Sequence, residues 1–244
     1  MKQVSLVLLL LFYSQVHADT FRLALPEDDY PPFHFANSDN EGILNKILSL
    51  FSAETGYIIE KVLASEMRSV KLVRDSKVDA RLESKAWQPD SSQYYWSDGI
   101  ATIEDIIVVS QNGDPASFHS QNESIAGVLL ANYGYVFPEY EQLLADQVIR
   151  RENFYSDLAI LHSLYNNHKN TRFTIMSRAV FNWYRQKFPK FHILNTSHFS
   201  VGEEPLQLQF SFTPRGKVRA DSFNNFLKKL KANGELARII NSYE

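Results

Sequence analysis

The strongest constraint on the fold is an alternation of two hydrophobic periods across residues 20–83. Residues 20–25 set Phe21, Leu23 and Leu25 against Thr20, Arg22 and Ala24, the period-two pattern of a strand. Residues 42–56 switch to the helical period. There Ile43, Leu44, Ile47, Leu48 and Phe51 share one face, and Gly56 supplies a C-terminal stop. Residues 57–63 return to the β-branched and aromatic composition of a strand, 65–76 read as a second helix, and 79–83 as a short strand. A β-α-β-α-β order predicts a mainly parallel sheet covered by helices.

The remainder repeats this logic. Residues 105–110 (DIIVVS) form an apolar strand, and the polar stretch 111–123 reads as a crossover between lobes. Strands are then expected at 124–131, 147–150, 172–176 and 191–194, with helices at 139–146, 154–167 and 178–187. Residues 206–212 (LQLQFSF) alternate without fault and predict a return strand, and 222–243 carry a closing helical pattern punctuated by Asn233-Gly234. The 244 residues fit two units of about 100 each. The expectation is an α/β architecture of two lobes joined by two crossing segments. Residues 19–110 with 213–244 form the first lobe, and 111–212 form the second with the hinge crossings.

Residues 1–18 read as an address. Met1-Lys2-Gln3 gives a short positive start, an apolar run follows to Tyr13, and Val16-His17-Ala18 suits a signal peptidase cutting before Asp19. The apolar run is short of the ~20 residues a membrane span needs. With no cysteine in the chain, no lipid can be attached at the cut. A periplasmic location is the expectation, with full secretion as the alternative.

Other classes recede. A net charge of −3 does not suggest a nucleic-acid binder. The absence of cysteine removes disulfide scaffolds, thiol catalysis and thiolate-held metals. No Gly-x-Gly-x-x-Gly, phosphate loop, Gly-x-Ser-x-Gly or His-Glu-x-x-His occurs. The pairs His162/His168 and His192/His198 are each six apart, which does not place two imidazoles on one helical turn. No cofactor and no metal site is expected.

Four segments in order resemble the family-three solute-binding proteins, the periplasmic receptors of polar amino acid uptake. Tyr30-Pro31-Pro32-Phe33 after the first strand is similar to that family's Tyr-Pro-Pro-Phe loop, with Gly42 opening the first helix. Lys77-Val78-Asp79-Ala80 is similar to its Gly-Lys-Val-Asp-Ala segment, with Ser76 in place of the glycine. Tyr95-Trp96-Ser97-Asp98 and the strand at 106–110 are similar to its Phe-Ser-Asp-Pro-Tyr segment and hinge strand. The closing helices, with Leu-Lys-Ala-Asn-Gly-Glu-Leu inside 226–243, complete the resemblance. It implies a two-lobed periplasmic binding protein fold of type II and a ligand held between lobes.

The same resemblance exposes two departures. The family's carboxylate-clamping arginine aligns with Ser91, and its aspartate for the ligand amino group aligns with Ser177, next to Arg178. Both charged halves of amino-acid recognition are replaced, so free α-amino acids are not the expected ligand. Tyr30 and Phe33, stiffened by Pro31 and Pro32, offer an apolar wall or pack against their own lobe. Strand alternation places Arg81, Glu83 and Lys85 on one side, with Trp87 as a stacking plate beyond them. Tyr133, in the Asn132-Tyr133-Gly134-Tyr135 turn, is placed to close from the second lobe.

The candidate ligand-binding set is therefore Tyr30, Phe33, Glu83, Lys85, Trp87, Tyr133, Ser177 and Arg178. The expected function is a monomeric, non-enzymatic receptor for a small polar molecule with a flat or aromatic portion, delivering it to an ABC permease. An enzyme using Glu83 as general acid or base, and a module serving a membrane sensor, stand as alternatives. Mass spectrometry of the protein recovered from the periplasm should read a chain starting at Asp19; an intact Met1 would overturn the export reading.

Overall fold

The computed structural model describes residues 19–38, 41–167 and 171–243. The expected signal peptide and His168 lie outside the described residues.

The first half follows the period changes closely. Strand β1 (Thr20–Pro26), helix α1 (Ile43–Thr55), strand β2 (Ile58–Ala64), helix α2 (Glu66–Arg74) and strand β3 (Ala80–Glu83) build a parallel sheet. β1 lies in its centre, with Thr20 opposite Ile58 on one side and Leu23 opposite Ala80 on the other. Strand β4 (Tyr95–Trp96) precedes strand β5 (Ala101–Val109).

The second sheet contains strand β6 (Gly127–Asn132), strand β7 (Ile149–Phe154) and strand β8 (Arg172–Ser177). Helices α3 (Glu141–Ala145), α4 (Asp157–Asn166) and α5 (Arg178–Lys187) alternate with them. β6 pairs parallel with both β7 and β8. Strand β9 (Asn195–Thr196), strand β10 (Gly202–Phe210) and helices α6 (Pro214–Ala232) and α7 (Glu235–Asn241) close the chain.

Two strands join these sheets into two lobes. β10 pairs antiparallel with β5 over Gly202–Leu206, then with β3 and β4 over Gln207–Phe210. β5 turns from β10 to β8 after Asp105. The stretch 111–123, expected to cross between lobes, instead packs in the second lobe, where the buried Phe118 stacks on Phe173 at 4.6 Å.

Three element expectations need correction. β10 starts at Gly202, earlier than the clean alternation suggests, because Glu203, Glu204 and Pro205 mask the pattern. Only one side of the strand is paired there, so the missing proline N–H costs no ladder bond. α6 starts at Pro214, well before 222. The side chain of Thr213 accepts from the Gly216 N–H at 3.0 Å, and proline occupies the first helical position, where no intrahelical donor is needed. Residues 191–194 are not a strand: a 3₁₀ turn over Pro189–Ile193 buries Phe191 and leads into β9.

The main core lies between the first sheet, α1 and α6. Phe51, fully buried, touches Phe21, Phe223, Phe226 and Tyr57 with ring centroids 5.1–5.5 Å apart. On the opposite face α2 adds Val73 against Ala24 and Val78. Among the described residues no helix is long and apolar enough to cross a membrane. Phe51→Ala removes a ring held from four sides and should lower unfolding stability by about 3–5 kcal/mol; urea titration by far-UV circular dichroism checks this, and a loss below about 1 kcal/mol would contradict it.

Candidate ligand cavity

β3 is short, and its two charged residues sit two apart, so both side chains leave the same face of the sheet. Arg81 is fully buried there. Its guanidinium donates to Glu83, Glu66 and the Gln209 side-chain oxygen, and to Ser69 Oγ at 3.1 Å. One positive charge is thus divided between two carboxylates.

Glu83 also accepts from the Ser84 N–H at 2.8 Å and from Gln88 Nε2 at 2.9 Å. Burial dominates over these contacts and over Arg81, and pushes the Glu83 carboxyl up to about 7.

Glu83 opens onto a cavity of about 190 Å³ between the lobes. The first lobe contributes Tyr30, Glu66, Leu82, Glu83 and Trp87, and the second contributes Tyr135, Phe137, Asp157, Met176 and Ser177. The crossing strands supply Asp105 and Leu206 between them.

Asp105 has no hydrogen-bond donor on its carboxylate among the described residues. Burial, reinforced by Glu139, Asp157 and Glu204, raises it to about 7. Asp157 begins α4, with Asn132 Nδ2 donating to it at 2.7 Å, and burial raises it to about 6. Burial also holds the Tyr30 and Tyr135 phenols well above their ordinary range, so both are neutral donors. Ser177 Oγ is buried with no hydrogen-bond partner and lies on the cavity wall.

The lobes meet at the cavity edge. At Gly134 (φ +90°), a Cβ would sit 3.3 Å from Glu66 Cβ and Cγ and 3.4 Å from Met67 Cγ, so the turn after β6 lies directly on the start of α2. The left-handed backbone and this approach both favour glycine. Elsewhere, Phe35 of the first lobe meets Trp183 of α5 with centroids 5.4 Å apart.

Tyr30, Glu83, Trp87 and Ser177 line the cavity; Phe33, Lys85, Tyr133 and Arg178 do not. Phe33 turns into its own lobe and is buried behind Tyr30, centroids 5.2 Å apart. Lys85 is exposed because the strand ends at Glu83 and a 3₁₀ turn over Lys85–Trp87 breaks the alternation. Tyr133 is half exposed and stacks on Tyr155 at 6.2 Å, while Tyr135, two residues on, faces inward. Arg178 points to Glu104, with Nε to Oε2 at 2.7 Å. Ser91 also stands off the wall, its carbonyl accepting from Trp96 Nε1 at 2.8 Å.

The sequence reading missed Asp105, Asp157 and Tyr135. A charged residue opening the apolar run at 105–110 was the available signal for the first. Ser156-Asp157 reads equally well as a helix start, which conceals the second role.

No protein-family model matches the sequence, and no curated protein is a significant match. Solved structures do match in fold. The substrate-binding protein of an amino acid ABC transporter superposes with a TM-score of 0.70 at 13% identity, covering 92% of this chain and 98% of that one. An ancestral amino acid-binding protein, a precursor of cyclohexadienyl dehydratase, gives 0.71 at 17% identity, covering 92% and 95%. A histidine kinase sensor domain with similarity to periplasmic binding proteins gives 0.73 at 14% identity, again covering 92% and 95%. The chain therefore has the two-lobed periplasmic binding protein fold.

The Asp105 carboxyl is raised in the folded state, so its stabilising contribution is complete below its ordinary value of 3.8 and is lost as pH rises through about 7. Asp105→Asn should gain a few degrees in Tm over the parent between pH 5 and pH 8, read by paired thermal melts; a constant difference across that range would contradict the assignment.

Proposed function

We propose that the protein is a periplasmic receptor, exported by removal of residues 1–18 and not lipidated, that captures a small polar molecule between its lobes. The observation that carries this reading is a cavity walled by both lobes and by the two strands that join them. Such a site changes shape when the lobes rotate about β5 and β10, and a membrane transporter can sense the closed form. We place the lobe boundary inside β5 and β10, where each strand changes partner, and not at residues 110 and 212. The receptor acts as a monomer, with an ABC permease as its partner.

A second reading draws on Glu83. A buried carboxyl titrating near 7 on a cavity wall suits a general acid or base. Three partners already hold that carboxylate, Arg81 among them, which favours a structural and electrostatic role. Turnover of a bound compound that Glu83→Gln abolishes without loss of affinity would reverse this preference. A sensory partner would show as ligand binding without an uptake defect on deletion.

A thermal-shift screen against small polar metabolites tests the receptor reading. A ligand at 100 times its Kd should add about 2.7 kcal/mol, a Tm rise of a few degrees, with compaction in small-angle X-ray scattering. No shift across a broad library would overturn it.

A further inference from the structure

Six carboxylates line the cavity, each from a different element: Glu66, Glu83, Asp105, Glu139, Asp157 and Glu204. No lysine or arginine lines it among the described residues. Arg81 sits behind the wall with its donors committed to Glu66, Glu83, Gln209 and Ser69. Asp105, Glu139 and Glu204 have neither an ion-pair partner nor a hydrogen-bond donor to the carboxylate among the described residues.

The charge encloses a volume and does not converge on a point. Among the described residues no three histidine, aspartate or glutamate side chains come together as metal ligands would. Between the carboxylates stand Tyr30, Trp87, Tyr135, Phe137 and Tyr140. Aromatic faces attract cations, most strongly where water is excluded. A second and independent feature is Ser177 Oγ, buried on the wall and unpartnered, which can accept one N–H or O–H from an occupant.

We infer that the cavity takes a small organic ammonium ion that carries no carboxylate of its own. This inference rests on the receptor reading and narrows its ligand class. A carboxylate on the ligand would meet like charge on both lobes and find no free cation among the described wall residues, so burying it would leave an uncompensated anion. An ammonium group faces the reverse situation. It neutralises side chains that otherwise repel one another, as Glu139, Asp157 and Glu204 repel Asp105, and Glu66 repels Glu83.

The charge arrangement also dictates a pH signature. Without a ligand, burial first and mutual repulsion second raise the Asp105 and Glu83 carboxyls, and burial raises that of Asp157, so all three hold their protons to higher pH than usual. An ammonium ion replaces those protons, so binding releases them and affinity rises with pH. Arg81 opposes protonation of Glu83, Asp28 favours that of Asp157, and the Tyr30 and Tyr135 phenols stay neutral throughout.

Two matched pairs of probes isolate the carboxylate: choline against glycine betaine, and putrescine against ornithine. Calorimetry and thermal shift on the purified protein should show at least one carboxylate-free member binding about tenfold or more tightly than its carboxylated partner. That affinity should rise about tenfold from pH 6 to pH 8. Asp105→Asn should weaken it about tenfold at pH 8 and flatten the pH dependence, and Glu204→Gln gives an independent second variant. Equal or tighter binding of glycine betaine or ornithine overturns the inference. So does binding of a neutral or zwitterionic metabolite while both ammonium probes stay silent, an outcome that leaves the receptor reading standing. Silence of every compound, metabolite library included, overturns both.

Discussion

The architecture depends on β10 exchanging partners along its length. Over Gly202–Leu206 it is hydrogen-bonded to β5, and from Gln207 onward to β3 and β4. β5 makes the complementary switch to β8 after Asp105. Two adjacent antiparallel strands thereby carry the chain between lobes without any long linker. The same geometry leaves Asp105 and Glu204 at the strand positions where the lobes diverge, facing the space between them.

That placement explains the chemistry of the cavity. Backbone pairing satisfies the strands, but the side chains at the crossing inherit a site shielded from water and ringed by other acids. Asp105 responds by holding its proton to about 7. Glu83 is in a similar position because burial outweighs Arg81, whose one guanidinium is shared between Glu66 and Glu83. Two-lobed proteins of this fold present a cavity that loops from both lobes can tune independently. Here the tuning has produced negative charge and aromatic faces.

The resemblance to amino acid receptors and the structure agree on the scaffold and differ in the residues of the cavity wall. Ser91 does not reach the wall, and Ser177 reaches it without a carboxylate. No arginine takes the place of the missing clamp among the described wall residues. Solved structures with this fold include a transporter receptor, a dehydratase precursor and a kinase sensor domain, so the fold alone does not select among roles.

Local periodicity carried most of the fold. The β-α-β-α-β order of residues 20–83, the apolar face of α1 and the parallel first sheet follow from patterns that span one turn or one strand. Tyr30, Glu83, Trp87 and Ser177 were legible because a rigid loop, a charged strand tip and strand ends mark the rim of a parallel sheet. Lys85 and Tyr133 lie off this wall because a 3₁₀ turn and a glycine turn each break the alternation that would have aimed them inward. Glu204 and Asp157 carry no local mark of their place on the wall, and Asp105 carries only the charge that opens an apolar run. Each becomes a cavity residue only when segments far apart in the chain meet, and their charges interact only across that enclosed space. Sequence by itself determined which segments become strands and helices, since those depend on neighbours within a few residues. The tertiary structure alone decided which acids face one another, because the mutual repulsion and shared desolvation that define this site exist only once both lobes are in place.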